Sequence, residues 1–474
     1  MKIFIYLINI LNIFIITSKD KITRNFQASE SIKYLEYSFE RNLTKVKSLS
    51  PDKFFQEYFY NQIYINIKVG SDKIEIPFYI YLQQFPCVIE SSNVSISQVK
   101  GKYNEQKSKT YKATKNEQSF TLGDLETAIF SEDKFYFNKN IESFINFYLA
   151  KENIRNSHIS EGGKIGFKPY SFYSEHDDSS FINNLKKNNM ISEYIFTIKY
   201  NSNKLNEDSG KLYIGAHPYQ FNGKQYNKND YISFRAENGF SGIDWIYNFN
   251  NIKIGNNIID EEIEAYFYYE IGFIIGTEKF FNYLAELDSW KQYFYNNAKC
   301  HKHQFLINDF EYNNYFDRFK YPFTGYYCDK DANIENLKLE NISFIKRQMN
   351  YSFNFNYKEL WMELENYIYF MIIRVDNYED TWIFGKPFFK KYQLVFEYNN
   401  KQIGLYKQIS ESSNESKKIK SNYIYIIIIL GLLIIIFVLT YFLIKCYFKL
   451  PRRQKANELL DDNYDYTDNS TNVN

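Results

Sequence analysis

Residues 63–91 read IYINIKVGSDKIEIPFYIYLQQFPCVIES, and the first apolar residues of this stretch fall on a period of two. Ile63, Ile65, Ile67 and Val69 alternate with polar positions, the pattern of a half-buried β-strand. Gly70-Ser71-Asp72-Lys73 predicts a turn, because Gly and Asp tolerate the backbone angles of a tight reversal. Residues 74–81 predict a returning strand rich in β-branched and aromatic side chains. Short strand patterns separated by turn residues continue from residue 60 to residue 406, so a mostly β architecture is expected. Two helices interrupt it. One is predicted over 180–190, with Phe181 and Leu185 on one face and Asp178-Ser179-Ser180 as its cap. The other is predicted over 277–286, opening at Thr277 followed by Glu278. Before all of these, residues 19–53 are charged and weakly periodic, and read as a pro-segment, an extension or a poorly ordered leader.

The two ends of the chain carry a different pattern. Residues 1–18 hold one Lys and then an apolar run, as a secretory signal peptide does, with a retained N-terminal anchor as the alternative. Residues 423–444 are 22 positions without a charge, long enough to cross a hydrocarbon core as one helix. Lys445, Lys449, Arg452, Arg453 and Lys455 follow that run, against Lys417, Lys418 and Lys420 before it. The basic excess predicts a cytoplasmic C-terminus and hence type I topology. The expected order is signal peptide 1–18, leader or pro-segment 19–55, a β-rich body, a stalk over 408–422, the membrane helix and a cytoplasmic tail over 445–474.

Composition changes this picture little. With 57 basic and 56 acidic residues the net charge is +1, so no global field points to nucleic acid, and none is expected as a partner. Aromatic residues make up 20 % of the chain without favouring one face, which reads as compositional bias rather than a binding surface. Sequons at Asn42, Asn93, Asn341, Asn350 and Asn414 suit a glycoprotein of the secretory route. In that oxidising compartment Cys300 and Cys328 are expected to form a disulfide, and Cys87 to be a small buried hydrophobe. Cys446, at the membrane edge, is either palmitoylated or free.

The order of short motifs over residues 59–406 resembles the pepsin-like aspartic peptidases. Ile67-Lys68-Val69-Gly70 is similar to the family's hairpin glycine, eleven positions ahead of its first catalytic aspartate. The run KYNEQKSKTYK at 102–112 is similar to its F-x-P-x-x-S-S-T-Y segment. Gly163-Lys164-Ile165-Gly166-Phe167 resembles its D-G-I-L-G-L strand, MISEYIFT at 190–197 its L-I-x-x-x-x-F-S, and 209–215 its G-x-L-x-F-G. In the second half, WIYNFNNIKIG at 245–255 is similar to the strand pair leading into the second catalytic loop. TWIFGKPFFKK at 381–391 with Tyr392, and Ile403-Gly404-Leu405-Tyr406, resemble W-I-L-G-D-x-F-L-R-x-Y and R-I-G-F. The resemblance implies a bilobal pepsin-like fold with a C-terminal single-pass transmembrane helix. Its lobes are drawn at 56–195 and 196–407, with a peptide cleft between them and a flap over it.

Such an enzyme needs two adjacent carboxylates, each opening an Asp-Thr-Gly or Asp-Ser-Gly loop and sharing one proton. One takes a proton from water while the other donates to the peptide carbonyl. Eleven positions after Gly70 stands Tyr81, in Tyr81-Leu82-Gln83. In the second half Tyr268 holds the corresponding place, in Tyr268-Tyr269-Glu270-Ile271-Gly272, and Leu122 falls where the flap tyrosine is expected. A phenol ordinarily ionises near pH ~10, so a Tyr cannot serve as the base at acidic pH. The one Asp-Ser-Gly in the chain, Asp208-Ser209-Gly210, follows a polar run and reads as a hairpin turn. Cys300-His301-Lys302-His303 with Cys328 has zinc-ligand types, but a disulfide flanked by exposed His is the reading taken. Glu270 reads as structural or solvated, and His217 and Asp133 have no partners visible in sequence.

The expected protein is therefore a monomeric, membrane-anchored homologue of these peptidases without catalytic residues, cofactor or metal. It is expected at a cell surface or endomembrane, binding a peptide or protein in the cleft. The alternative is an active membrane-bound aspartic endopeptidase.

Overall fold

The computed structural model describes residues 32–40, 48–60, 63–82, 87–92, 103–114, 127–138, 141–152, 162–168, 177–223, 225–239, 242–243, 245–296, 299–307, 322–337, 339–346, 351–376 and 381–406. Beyond these it describes residues 431, 435 and 438–445. Three large sheets organise the main body. A seven-stranded sheet gathers the strands from Tyr64–Val69 to Gly163–Gly166, and a ten-stranded sheet those from Ile246–Ile254 to Trp382–Phe384. The third sheet joins them. Its order is Leu35–Glu40, Ser209–Ile214, Ile195–Tyr200, Leu394–Glu397, Gln402–Tyr406 and Tyr231–Arg235, all antiparallel. Because it draws strands from the start, middle and end of the body, it ties both β bodies into one unit that ends at Tyr406.

The expected hairpin is present. Tyr64–Val69 alternates exposed and buried residues along its whole length, and pairs with Ile74–Tyr81 from Tyr64↔Tyr79 to Val69↔Ile74. Both expected helices form, but shorter than their patterns. The first spans Phe181–Lys187, and Ser180 does not cap it; the Ser180 hydroxyl instead lies 3.4 Å from the Tyr398 hydroxyl. The second spans Glu278–Glu286, where Thr277 Oγ1 accepts from the Phe280 amide at 3.3 Å and donates to Asp260 at 2.6 Å. That is an N-cap whose own proton is also used.

The N-terminal stretch is more ordered than its pattern suggests. Leu35, Tyr37 and Phe39 are buried in a strand that pairs from Leu35↔Ile214 to Glu40↔Ser209. Pro51–Phe59 is a helix with Ser50 before it and Pro51 in its first turn, where the missing N–H costs nothing. Phe54, Phe55, Tyr58 and Phe59 lie on one helical face and are all buried. The boundary drawn at residue 55 therefore runs through a helix packed into the body. A helix of nine residues carries little periodicity beside a charged leader.

An aromatic seam joins the sheets. Phe167 stacks on Phe196 at 4.3 Å, Phe196 on Phe396 at 4.8 Å, and Trp245 meets Phe396 edge-on at 4.9 Å. Trp245 Nε1 donates to the Phe167 carbonyl at 2.8 Å, so the indole N–H is satisfied inside the core.

Cys300 and Cys328 face each other across two antiparallel strands and are disulfide-bonded, which removes both thiols from any metal set. Among the described residues no cluster of His, Cys, Asp and Glu could hold a metal ion. Cys87 is free and buried, and burial pushes its thiol up. Asn341 is exposed beside the strand Ile342–Lys346, whereas Asn42, Asn93, Asn350 and Asn414 lie outside the described residues, as do Cys446 and the signal peptide 1–18. Of the run 423–444, residues 431, 435 and 438–444 are described, and they are helical and exposed. Among the described residues no helix is long and apolar enough to cross a membrane.

Truncating one buried aromatic of the N-terminal helix tests its place in the core. Phe54→Ala is expected to cost about 3–5 kcal/mol, and Lys53→Ala, on the exposed face, to stay within about 0.5 kcal/mol. Thermal unfolding of the two variants measures the difference.

Candidate active site

Two loops occupy equivalent places in the two β bodies. In the first, the chain runs up Ile74–Tyr81 and returns along Cys87–Glu90. The strand Gly163–Gly166 is threaded between them, parallel to the first (Tyr81↔Gly166) and antiparallel to the second (Cys87↔Ile165). In the second body Asn257–Phe267 and Ile274–Gly276 form the loop, with Trp382–Phe384 threaded between them in the same two senses. The backbone closes both arrangements. The Phe167 amide donates to the Tyr81 carbonyl at 2.8 Å, and the Tyr268 amide to the Phe384 carbonyl at 3.0 Å. Close approach then dictates residue choice: a Cβ at Gly385 would lie 2.1 Å from the Phe273 carbonyl oxygen and 2.3 Å from that of Ile271. Only glycine fits there.

Tyr81 closes the first ascending strand and Tyr268 directly follows the second, so they hold matching positions. They are 5 % and 6 % exposed. The Lys164 ammonium stands 5.9 Å from the centre of the Tyr81 ring. Tyr268 belongs to an apolar cluster with Phe54, Phe55, Tyr58, Phe59 and Phe273. The N-terminal helix therefore packs directly on the second loop, where the Gly272 amide donates to the Phe59 carbonyl at 2.7 Å.

The two loops touch through Glu270. This side chain is 3 % exposed, and its Oε1 accepts from the Leu82 amide at 2.8 Å. Glu270 is therefore not solvated. It is a buried strut between the bodies. Next to it, the Tyr200 hydroxyl donates to the Tyr269 hydroxyl at 2.9 Å.

Asp208 lies in a hairpin connection, as expected, and has a further role. It lies in the connection between Ile195–Tyr200 and Ser209–Ile214, but its carboxylate is buried and pairs with Lys386 and, at 3.3 Å, with Lys390. Lys390 also donates to the Lys204 and Glu207 carbonyls. Burial holds its ammonium below the ordinary lysine range, with Asp208 opposing. The Lys386 ammonium sits 4.3 Å over the Tyr58 ring and that of Lys390 4.8 Å over Tyr200. Two cations around one carboxylate form a closed structural cluster, and Asp208 is committed to it.

These two threaded loops on a mostly β body agree with what the chain matches. The family model for eukaryotic aspartyl protease matches residues 81–408, well over half of the chain. The chain belongs to the eukaryotic aspartyl protease family. No curated protein matches the chain.

Other residues singled out in the sequence find structural roles within this family fold. Asp133 is fully buried and accepts from the Tyr103 hydroxyl and from Thr110 Oγ1, both at 2.5 Å, fixing the KYNEQKSKTYK segment to the first sheet. His301 and His303 flank the disulfide, His303 lying 3.3 Å from Asp52 at the start of the N-terminal helix. Leu122 lies outside the described residues, as do Gln83 and Gln84. The Leu82–Glu270 bond and the Asp208–Lys386–Lys390 cluster join residues between 178 and 188 positions apart, and no local pattern announces them.

Glu270→Leu leaves the buried Leu82 amide without its acceptor and is expected to cost about 1–3 kcal/mol. Glu270→Gln keeps an acceptor and should cost less. Hydrogen exchange at the Leu82 amide is the direct readout: it should quicken in Glu270→Leu and stay protected in Glu270→Gln.

Proposed function

We propose that the protein is a type I membrane-anchored member of the aspartyl protease family without peptidase activity, and that it binds a peptide or protein between its two β bodies. One observation carries this reading. The matching ends of the two threaded loops, where the chemistry calls for a pair of carboxylates, hold Tyr81 and Tyr268, both buried. A phenol there supplies neither the general base nor the shared proton of the carboxylate pair. The carboxylate nearest the loops belongs to Glu270 and is engaged by the Leu82 amide. The backbone that supports a catalytic loop is thus kept while its acid and base are replaced.

The anchoring is supported by sequence: the uncharged run 423–444 and the basic residues after it. A signal peptide over 1–18, the Cys300–Cys328 disulfide and the exposed sequon at Asn341 suit a lumenal or extracellular body. No cofactor is needed for such a role, and a monomer suffices.

A second reading, an active membrane-bound endopeptidase, is favoured by the one carboxylate that the second loop does present, Glu270. The two readings separate in one assay. The purified full-length protein in detergent is offered unfolded protein and peptide libraries from pH 3 to pH 7, with and without an aspartic-peptidase inhibitor. No turnover is expected at any pH, with saturable peptide binding retained. Inhibitor-sensitive turnover that Glu270→Gln abolishes would establish the active enzyme instead.

A further inference from the structure

A second polar cluster lies on the six-stranded sheet, built by residues that the two loops do not use. His217 follows Ser209–Ile214 through Gly215 and Ala216 and precedes the short helix Pro218–Phe221. Its ring is buried, and among the described residues its Nδ1 has no hydrogen-bond partner. On the other side Nε2 stands 3.9 Å from a carboxylate oxygen of Glu193 and 3.9 Å from one of Glu397. Both distances are too long for a hydrogen bond and short enough for strong Coulomb attraction to a charged ring.

The carboxylates are already engaged. Glu193 Oε1 accepts from Gln220 Nε2 at 2.6 Å. Glu397 accepts from the Tyr231 hydroxyl at 2.6 Å through Oε1 and from Asn400 Nδ2 at 2.7 Å through Oε2. Tyr219 and Tyr231 flank the imidazole at 5.3 Å and 5.0 Å, and the Lys228 ammonium lies 5.7 Å over the Tyr219 ring. Tyr219, Tyr226 and Tyr231 all pack on Tyr406, the residue at which the body ends. The oxygen nearest His217 on Glu397 is the same Oε1 that holds Tyr231. A protonated imidazole would draw on the same oxygen that the Tyr231 hydroxyl uses.

We propose that His217 is a proton-responsive joint: on acidification its ring takes a proton from solvent, pairs with Glu193 and Glu397, and displaces Tyr231, loosening the tyrosine packing around Tyr406. The electrostatics agree in direction. Burial holds the imidazole below its ordinary range, Glu397 and Glu193 oppose that, and Lys228 adds to it. A folded-state value below the unfolded one means that the unfolded chain takes its proton first as pH falls. The contribution of His217 to stability is therefore full above pH ~6.5 and is lost as pH drops below it. A compartment that acidifies would act on the strand end from which the chain continues to residue 407.

The test follows the side chains directly in the full-length protein in detergent micelles, with labelled His and Tyr. The chain has five His, so His217 is assigned by the signal missing from His217→Asn. Wild-type His217 should titrate below pH ~6.5, with Tyr231 and Tyr406 signals shifting at the same midpoint. Glu397→Gln removes a group that favours the charged ring, and should lower that midpoint by on the order of half a pH unit. His217→Asn should lose less thermal stability between pH 7 and pH 5 than the wild type. If His217→Asn does not fold, backbone-linked assignment in the wild type and in Glu397→Gln decides alone. A His217 midpoint at or above the ordinary value, tyrosine signals that do not follow it, or a midpoint unchanged by Glu397→Gln would overturn the proposal.

Discussion

The constraint on which this structure depends is the threading of one strand between the two arms of each loop. Gly163–Gly166 and Trp382–Phe384 each bond to an ascending strand on one side and a returning strand on the other. The bonds are between backbone groups, which every residue other than proline carries in full. Side-chain identity at the loop tip is therefore largely free once the glycine contacts are met, as at Gly385. That separates scaffold from chemistry. Tyr81 and Tyr268 can sit where they do without the loop losing its support, because the support never came from their side chains.

At the loops the side chains consolidate the fold. Glu270 ties the second loop to the Leu82 amide, the Tyr200 and Tyr269 hydroxyls bond to each other, and the N-terminal helix lays Tyr58 and Phe59 over Gly272. Just behind, Asp208 gathers Lys386 and Lys390 in a fully buried cluster. Breaking such a cluster is costly because a buried ion is left unpaired, whereas the intact cluster adds little net stability. Its contribution is specificity of arrangement: it fixes the helix Lys386–Lys391 against the connection that precedes Ser209–Ile214.

The joining sheet carries the long-range order of the body. Strands separated by hundreds of residues meet in it, and the Phe167–Phe196–Phe396 stack with Trp245 fills the space between it and the two flanking sheets. Beside the same sheet, the buried His217 ring lies 3.9 Å from a carboxylate oxygen of each of two glutamates. The two threaded loops and the His217 cluster are built by different residues of one body.

Much of this was written in the sequence. The period-two runs of 63–81 and the collinear family motifs were legible without coordinates, because they depend on local pattern and fixed spacing. The disulfide followed from compartment and count, and Cys87 was correctly left out of it. What the chain could not announce were the contacts made across it. The helix Pro51–Phe59 was hidden beside a charged leader, the hairpin reading of Asp208 gave no hint of its buried lysine partners, and Glu270 was left open between structural and solvated. His217 and Asp133 had no visible partners for the same reason. Burial and pairing of a polar group are set by residues far away in sequence, so only the folded arrangement decides whether a charge is solvated, paired or poised.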